Sequence, residues 1–227
     1  MLRFAAQLGF HIEQETLHAA VMLAPRLNDI AVERIRDEVE KILLSANPDI
    51  LGLAILSGFL IRFGLSEKSR LRGLKNVART KLARWAAFCM LSAQNADMLR
   101  LFKLDKKTVR AVEKAFVILK SGLPEDEASL KRLCRRMGVD AVIAAAAMQD
   151  AKCGGKNGRR LSQMLEKGEC FTSDTLAIGG DDLIKMGFQK GKDIGRVINA
   201  LVEHVIDNPK DNNYEKLLKL VVAIKDK

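Results

Sequence analysis

One stretch near the carboxyl end of the 227-residue chain has the residue types and spacing that bind a phosphate group: LAIGGDDLIKMGFQKGKDIGRVINALVEHV, residues 176–205. Gly187 can end a first helix in a left-handed turn, and Gly191 lets the backbone approach a ligand closely. A second helix begins next, and its exposed N–H groups attract anions. Three cations surround that helix start: Lys190, Lys192 and Arg196. The pattern predicts a helix-turn-helix phosphate contact, although a tight interhelical turn with solvated lysines has the same signature.

Residues arranged for catalysis are not apparent in the sequence. It contains no Walker phosphate-binding loop, no H-E-x-x-H zinc motif and no strand with spaced aspartates that could hold two magnesium ions. Asp181 and Asp182 are adjacent, so on a helix their side chains point about 100° apart and cannot share one metal ion. They are better placed in the first turn of a helix, where the helix dipole favours carboxylates. The four cysteines are too widely spaced for a zinc site. We expect this chain to have no catalytic residue, metal site or cofactor of its own.

The formal net charge of +10 is concentrated in the middle of the chain. Residues 47–172 contain 24 lysines and arginines against 12 aspartates and glutamates, whereas residues 173–227 contain nine of each. Such a surplus favours a polyanionic partner such as nucleic acid, because phosphate binding releases counterions. Surplus lysines that only keep a helical surface soluble would give the same balance.

The spacing of apolar residues is helical along most of the chain, and turns rich in Gly or Pro separate the periodic segments. With 48% hydrophobic but only 5% aromatic residues, the composition favours an all-α fold. One helix is predicted to start at Asn28 or Asp29 and to stop before Pro48. Another is predicted over residues 126–149. A rough division of the chain is 1–46, 47–172 and 173–227.

The sequence predicts neither a signal peptide at the amino terminus nor a membrane span in its apolar runs. The amino terminus, MLRFAAQLGF, lacks the sustained apolar core of a signal peptide, and the apolar run at residues 50–61 is too short to span a bilayer. We therefore expect a soluble cytoplasmic protein whose cysteines are reduced core residues.

A second stretch rich in glycine and cations, DAKCGGKNGRR, occupies residues 150–160. Its composition could contact phosphate. No strand precedes it, however, as one does in nucleotide-binding loops, so a solvated loop is the favoured interpretation.

Three stretches of the chain resemble a known family: RFAAQLGFHIEQETLHAAVMLAPRL at residues 3–27, ERIRDEVEKILL at 33–44, and residues 176–220, from LAIGGDD to KLLKL. They look like the neck and tail of bacterial class II tRNA nucleotidyltransferases, the CCA-adding enzymes and related poly(A) polymerases. The middle of the chain matches only in its helical pattern. Family members begin with an α/β head that contains G-G-x-V-R-D, a metal-binding D-x-D pair and an E-D-x-x-R template, and none of these is present in this sequence.

The resemblance implies roles for particular residues. Arg3 and Phe4 match the family's R-F pair just downstream of the template, so the chain would start inside the first neck helix. The ERIRDE segment matches the neck motif that braces the nucleotide-binding helix. Neck-bracing roles are thereby implied for Arg3, Glu33, Arg34 and Glu38. The family's tail contacts tRNA, which implies RNA-binding roles for Lys190, Gly191, Lys192 and Arg196.

The function implied by the resemblance is to hold tRNA for CCA addition by means of an elongated, multi-helix all-α array. Its parts would be neck helices at 1–46, a basic helical body at 47–172 and a helical tail at 173–227. Mg²⁺ and CTP or ATP would bind a missing head or a separate head polypeptide, and this chain alone would be inactive, as a truncated frame or half of a split enzyme. The alternative is a stand-alone helical module that binds RNA or protein without catalysis. The sequence does not indicate an oligomeric state or decide between CCA and poly(A) addition.

Overall fold

The computed structural model describes residues 1–65 and 71–225, and within these ranges it contains helices and no strand. The α-helices are α1 Leu2–Leu8, α2 Gln14–Met22, α3 Val32–Leu43, α4 Leu51–Leu56, α5 Lys81–Leu91, α6 Asp97–Leu101, α7 Lys106–Ser121, α8 Glu127–Met137, α9 Val139–Cys153, α10 Asn157–Glu166, α11 Gly180–Lys185, α12 Lys192–Asp207 and α13 Tyr214–Lys225. Short 3-10 helices lie at Ala24–Asp29, Pro48–Ile50, Ile61–Phe63, Leu74–Asn76, Ser173–Thr175 and Pro209–Asp211. The all-α prediction is confirmed. A search of the described ranges finds no helix that is long and apolar enough to cross a membrane.

Contacts within the chain define two compact units. Unit 1 comprises Met1–Leu123 and Gly138–Leu161, and unit 2 comprises Pro124–Met137 and Ser162–Lys227. These units group residues by contact, whereas the sequence division at 46 and 172 groups them by composition and resemblance. The three-part division stays a prediction.

The centre of unit 1 is α9, which packs against both α5 and α7. Its buried residues are mostly alanines: Ala141, Ala144, Ala145, Ala146, Ala147 and Ala151. Alanine has the highest helix propensity, and its single methyl group lets neighbouring helices approach closely. The run AVIAAAAM at residues 141–148 is therefore a central helix that is packed by its neighbours.

Phe102, which follows α6, is the centre of an aromatic cluster in unit 1. Its ring stacks on Phe63 with the centroids 3.8 Å apart. Trp85 and Phe88 of α5 lie 5.2 Å and 6.4 Å from the same ring. The Trp85 indole Nε1 donates a hydrogen bond to Glu40 Oε2 of α3 at 2.9 Å, so its polar group is satisfied at the edge of the core. These contacts join α3, α5 and the segment after α6.

Two arginines hold the carboxyl end of α3. Arg84 is buried, and it donates to the carbonyl oxygens of Val77 at 2.9 Å and Leu43 at 3.0 Å. Arg79 is exposed and donates to the carbonyl oxygen of Leu44 at 2.8 Å. The last carbonyls of a helix have no partner within the helix, and cations are favoured there by the helix dipole. The arginines thus tie α3 to the segment that leads into α5.

The predicted start of α3 was wrong. Asn28 and Asp29 belong to a 3-10 helix, and Ile30 after them has an extended backbone with φ −89° and ψ 134°. That extended residue separates the 3-10 helix from α3, whose N-cap is Ala31. Asn28 and Asp29 do lie in a helical turn, but the N-cap of the longer helix is Ala31, two residues after Asp29.

The single helix predicted over residues 126–149 is two helices. Gly138 has a φ of +93°, which interrupts the helical backbone between α8 and α9. A left-handed backbone ends a regular helix, and glycine adopts it without the penalty of a Cβ. The break assigns α8 to unit 2 and α9 to unit 1.

Unit 2 has its own small core. Its buried members come from α11, α12, α13 and the segment before them: Cys170, Ile178, Leu183, Val197, Leu201, Val205, Leu217 and Val221. Ion pairs fasten α8 to α12 within this unit. Arg132 donates to Glu203 at 2.7 Å and Asp207 at 2.6 Å, and Arg135 donates to Glu203 at 2.7 Å.

Replacing Arg84 with Met should lower the free energy of unfolding by about 2–4 kcal/mol, because buried carbonyl oxygens lose their donor. The matched change Arg79→Met should cost at most about 1 kcal/mol, because water can replace an exposed donor. Urea denaturation followed by circular dichroism at the helical band measures both. Equal costs for the two variants would contradict the role assigned to the buried arginine.

Candidate nucleic-acid interface

The predicted phosphate-contact turn joins α11 to α12 in unit 2. Gly187 has a φ of +88°, and its N–H donates to the Ile184 carbonyl at 2.9 Å. The next N–H, that of Phe188, donates to the Leu183 carbonyl at 3.1 Å. Together these bonds form a Schellman motif, in which a left-handed residue ends a helix. The prediction that Gly187 ends the first helix is confirmed.

Lys225, near the end of α13, contacts the segment that joins α11 to α12. Its Nζ donates to the Met186 carbonyl at 2.7 Å and lies 5.8 Å from the centroid of the Phe188 ring. The carbonyl at the end of α11 therefore has a partner, and the turn is held against α13. Sequence reasoning missed this residue, because the contact spans 39 positions and no local pattern signals it.

Gly191 forms the N-cap of α12 with φ +109° and ψ −127°. A Cβ added there would meet no atom within 4 Å, so the backbone conformation and not crowding favours glycine. Gly195, one turn later, also faces open space. Open space therefore lies beside the start of α12 at both glycine positions.

The three predicted phosphate-binding cations, Lys190, Lys192 and Arg196, are all exposed. None of them forms an ion pair or a hydrogen bond through its side chain with another residue that the structure describes. Lys192 and Arg196 are four residues apart and so lie on one face of α12. Cations at a helix amino terminus are disfavoured by the dipole, so these positions do not serve the stability of α12. The geometry suits a phosphate group.

The two aspartates of this stretch have a structural use. Asp182 accepts a hydrogen bond from the Gly179 N–H at 3.0 Å, and both it and Asp181 lie in the first turn of α11. This agrees with the prediction that they stabilise a helix start. In the part of the chain that the structure describes, no group of three or more His, Cys, Asp or Glu residues is arranged to hold a metal ion.

Three of the four residues predicted to brace the neck line one groove in unit 1: Arg3, Arg34 and Glu38. Arg3 donates to Glu38 at 2.8 Å, and Lys41 donates to the same carboxylate at 2.8 Å. The hydrogen bond from Lys41 holds the pKa of Glu38 below its ordinary value. Arg34 is exposed at the groove and has no side-chain partner within residues 1–65 and 71–225.

Glu33, the fourth predicted neck residue, does not line the groove. It accepts a hydrogen bond from Lys103 Nζ at 2.7 Å, and this bond lowers the pKa of its carboxyl group. Lys103 is 70 positions away, so the sequence could not show the pairing.

The groove has a volume of about 520 Å³ and is lined mainly by apolar side chains. Among them Phe4 is 46% exposed and Leu23 is 56% exposed. Large exposed apolar groups that line one concave surface are typical of a binding surface.

The cysteines only partly match the expectation of core residues. Cys89, Cys134 and Cys170 are buried, but Cys153 is exposed at the end of α9. Its neighbours Gly154 and Gly155 have no side chains to cover the thiol.

Comparison with known proteins gives relatives that are named for one activity. The chain is 30% identical over 229 residues to the CCA-adding enzyme of Limosilactobacillus fermentum, a match that covers 96% of this chain and 56% of that protein. It is 28% identical over 231 residues to the CCA-adding enzyme of Geobacillus sp., with 95% and 56% coverage. A 45-residue stretch is 62% identical to the CCA-adding enzyme of Leuconostoc mesenteroides, covering 20% of this chain and 11% of that protein. The chain thus spans about half the length of the relatives that it matches over nearly its whole length.

A solved structure has the same fold. The crystal structure of the Bacillus stearothermophilus CCA-adding enzyme in complex with CTP matches 99% of this chain and 60% of that one, with a TM-score of 0.70 and 24% sequence identity. Two family models also match. Residues 9–56 match the model described as "Probable RNA and SrmB- binding site of polymerase A". Residues 78–221, more than half of the chain, match the model described as "tRNA nucleotidyltransferase domain 2 putative", and the chain therefore belongs to the tRNA nucleotidyltransferase domain 2 family.

Proposed function

We propose that this chain binds tRNA as one portion of a CCA-adding nucleotidyltransferase. The observation that carries the proposal is that the exposed cationic turn, residues 187–196, lies inside the segment that matches the nucleotidyltransferase family. The match of residues 9–56 to an RNA-binding family model supports the same substrate class, as do the names of the relatives.

The turn would hold the RNA backbone by charge and by main-chain donors. Lys192 and Arg196 present two cations on one face of α12, and Lys190 adds a third beside its amino terminus. The first N–H groups of α12 have no partner within the helix and can donate to a phosphate oxygen. Contacts of this kind position RNA without reading its sequence, which suits a protein that must accept many tRNAs.

We propose in addition that a separate polypeptide supplies the catalytic head, and that the head packs on the groove lined by Phe4 and Leu23. The exposed apolar walls would become buried in such a complex, with Arg34 available at the rim. In this proposal the head holds the nucleotide and the metal ions, and this chain positions the tRNA.

Replacing Lys190, Lys192 and Arg196 together with Ala should weaken tRNA binding by about 1–3 kcal/mol, because charge-assisted contacts are lost. The slope of log affinity against log salt should fall by about 2–3 if each cation neutralises one phosphate. Fluorescence anisotropy with labelled tRNA measures both. The matched control replaces three exposed cations of unit 2 that lie outside α11, the turn and α12: Arg136, Lys210 and Lys219. If the control lowers affinity as much, net charge and not the turn accounts for binding.

Gly191→Ala should weaken tRNA binding, since its φ of +109° strains an L-residue and would shift the start of α12. Gly195→Ala is the matched control, because Gly195 lies within α12 and an added Cβ meets no atom within 4 Å. The control should bind normally and gain up to about 1 kcal/mol of stability from better helix propensity. Identical binding by the two variants would exclude the turn as a contact.

Mixing this chain with a separately expressed head that ends in its E-D-x-x-R helix should produce incorporation of CTP and ATP into tRNA that lacks its 3′ terminus. Leu23→Asp should reduce both association and incorporation, because a charge would be buried in the complex. Leu101→Asp is the control, since Leu101 is 51% exposed but does not line the groove. Gel filtration and nucleotide incorporation are the measurements. Incorporation by this chain alone, or no gain and no association with the head, would contradict the proposal.

A further inference from the structure

The loop between α9 and α10 is folded around one buried carboxylate. Asp150, only 5% exposed, accepts hydrogen bonds from the N–H groups of Asn157 at 2.9 Å and Gly158 at 2.8 Å. The Asn157 side-chain amide donates to it as well, at 2.8 Å. A Cβ on Gly155 would lie 2.9 Å from Asp150 Oδ1, so the loop passes close to the carboxylate. Asp150 is the sole acidic residue of the stretch 150–160, and its oxygens are occupied in holding the loop.

A second loop lies against the end of α9. Gly73 has a φ of +111°, and a Cβ there would lie 2.3 Å from the Ala151 carbonyl oxygen. No other residue permits this approach. The short 3-10 helix Leu74–Asn76 that follows also contacts α9. Two segments that are far apart in sequence are thereby held side by side in unit 1.

These two loops carry five exposed cations: Arg72, Lys75, Lys152, Lys156 and Arg159. Within the described ranges none of the five forms an ion pair or a hydrogen bond through its side chain. Lys152 lies in the last turn of α9, where the dipole favours a cation. Lys156 and Arg159 instead lie at the amino-terminal end of α10, where the dipole disfavours positive charge. Their placement opposes local stability, and a bound anion would account for it.

We propose that this cationic surface, formed by residues 71–76 and 150–160, binds the sugar-phosphate backbone of RNA as a contact additional to the turn of unit 2. The proposal rests on the proposed function and adds a second place where the same substrate is held. The lining favours RNA over an acidic protein. Neither loop exposes a large apolar side chain, whereas protein interfaces are anchored by aromatic and apolar groups. Exposed Lys and Arg side chains are what phosphate contacts use.

Cys153 provides a probe within this surface, at the end of α9. It is the exposed cysteine among the four in the sequence, and the other three are buried. Burial also raises the pKa of Cys89 to about 12 and that of Cys134 to about 11, which keeps both thiols protonated and slow to react at neutral pH. A thiol-directed photocrosslinker should therefore attach at Cys153 alone, and it should crosslink to bound tRNA.

The test uses the full chain and tRNA lacking its 3′ terminus. The variant K152Q/K156Q/R159Q should lower affinity about 10- to 100-fold and reduce the salt slope by about 2–3, as expected for three lost phosphate contacts. The control K106Q/R110Q/K120Q removes the same charge from exposed positions of α7 in the same unit. It should change affinity by about threefold or less, the effect of net charge alone. Circular dichroism checks that both variants fold.

The outcomes separate this proposal from the proposed function. Suppose that the wild-type chain binds tRNA and that the variant K190A/K192A/R196A binds it more weakly. If K152Q/K156Q/R159Q then binds tRNA as its control does, and Cys153 gives no RNA crosslink, only this second surface is refuted. If the wild-type chain does not bind tRNA at low salt, the proposed function fails and this inference with it. Polyglutamate that competes as well as RNA at equal charge concentration would assign the surface to acidic protein and overturn the inference. Selective loss of affinity in the Lys152 variant, with a crosslink from Cys153, supports it.

Discussion

The close packing of α9 is the constraint on which unit 1 depends. A helix whose buried positions are mostly alanine lets α5 and α7 approach it closely. The aromatic side chains of α5, including Trp85 and Phe88, then belong to a cluster with Phe102 and Phe63. The large side chains of this core come from the neighbours of α9, so even one larger side chain on α9 would displace these neighbours. The end of α9 also fixes the loops that carry the free cations.

Acidic residues in this chain are largely engaged within the fold, and this shapes its surface. Asp150 is occupied by backbone N–H groups, Asp182 by the start of α11, and Glu203 by two arginines. A carboxylate that accepts such bonds keeps its charge, but its oxygens are not placed to pair directly with a solvent-facing cation. The basic surplus of residues 47–172 contributes the positive surface beside α9, whereas the cations of the turn before α12 belong to a segment whose charges balance.

Sequence patterns predicted much of this structure where the determining interactions are local. The helical spacing gave the fold class, and Gly187 was recognised as a helix end because a left-handed glycine acts through the residues just before it. The resemblance grouped Arg3, Arg34 and Glu38, and they line one groove. Failures have a common cause as well. The break at Gly138 was not predicted, because the apolar spacing continues across it. The capping pattern at Asn28 and Asp29 predicted a helix that continues from there, but the extended backbone of Ile30 separates these residues from α3.

Contacts between distant parts of the chain could not be predicted from spacing. The bond from Lys225 to the Met186 carbonyl and that from Lys103 to Glu33 join residues that no local period relates. The position of Arg72 and Lys75 beside α9 depends on the approach of Gly73 to Ala151, which only the folded chain reveals. The interpretation of the glycine-rich stretch as a solvated loop holds for residues 154–156, which are exposed between α9 and α10. The buried role of Asp150 could not be predicted, because in the sequence it looks like any surface aspartate.

Gly73 and Gly155, the two crowded glycines beside α9, differ in whether a second substitution would allow their replacement during evolution. At Gly155 the nearest obstacle is the side chain of Asp150, so a shorter residue at position 150 could make room for a larger one at 155 in a paired replacement. At Gly73 the obstacle is the backbone oxygen of Ala151, which every amino acid possesses. No second substitution can remove it, and only a shift of the backbone would help. Homologues that retain this contact should therefore keep glycine at position 73 while positions 150 and 155 change together.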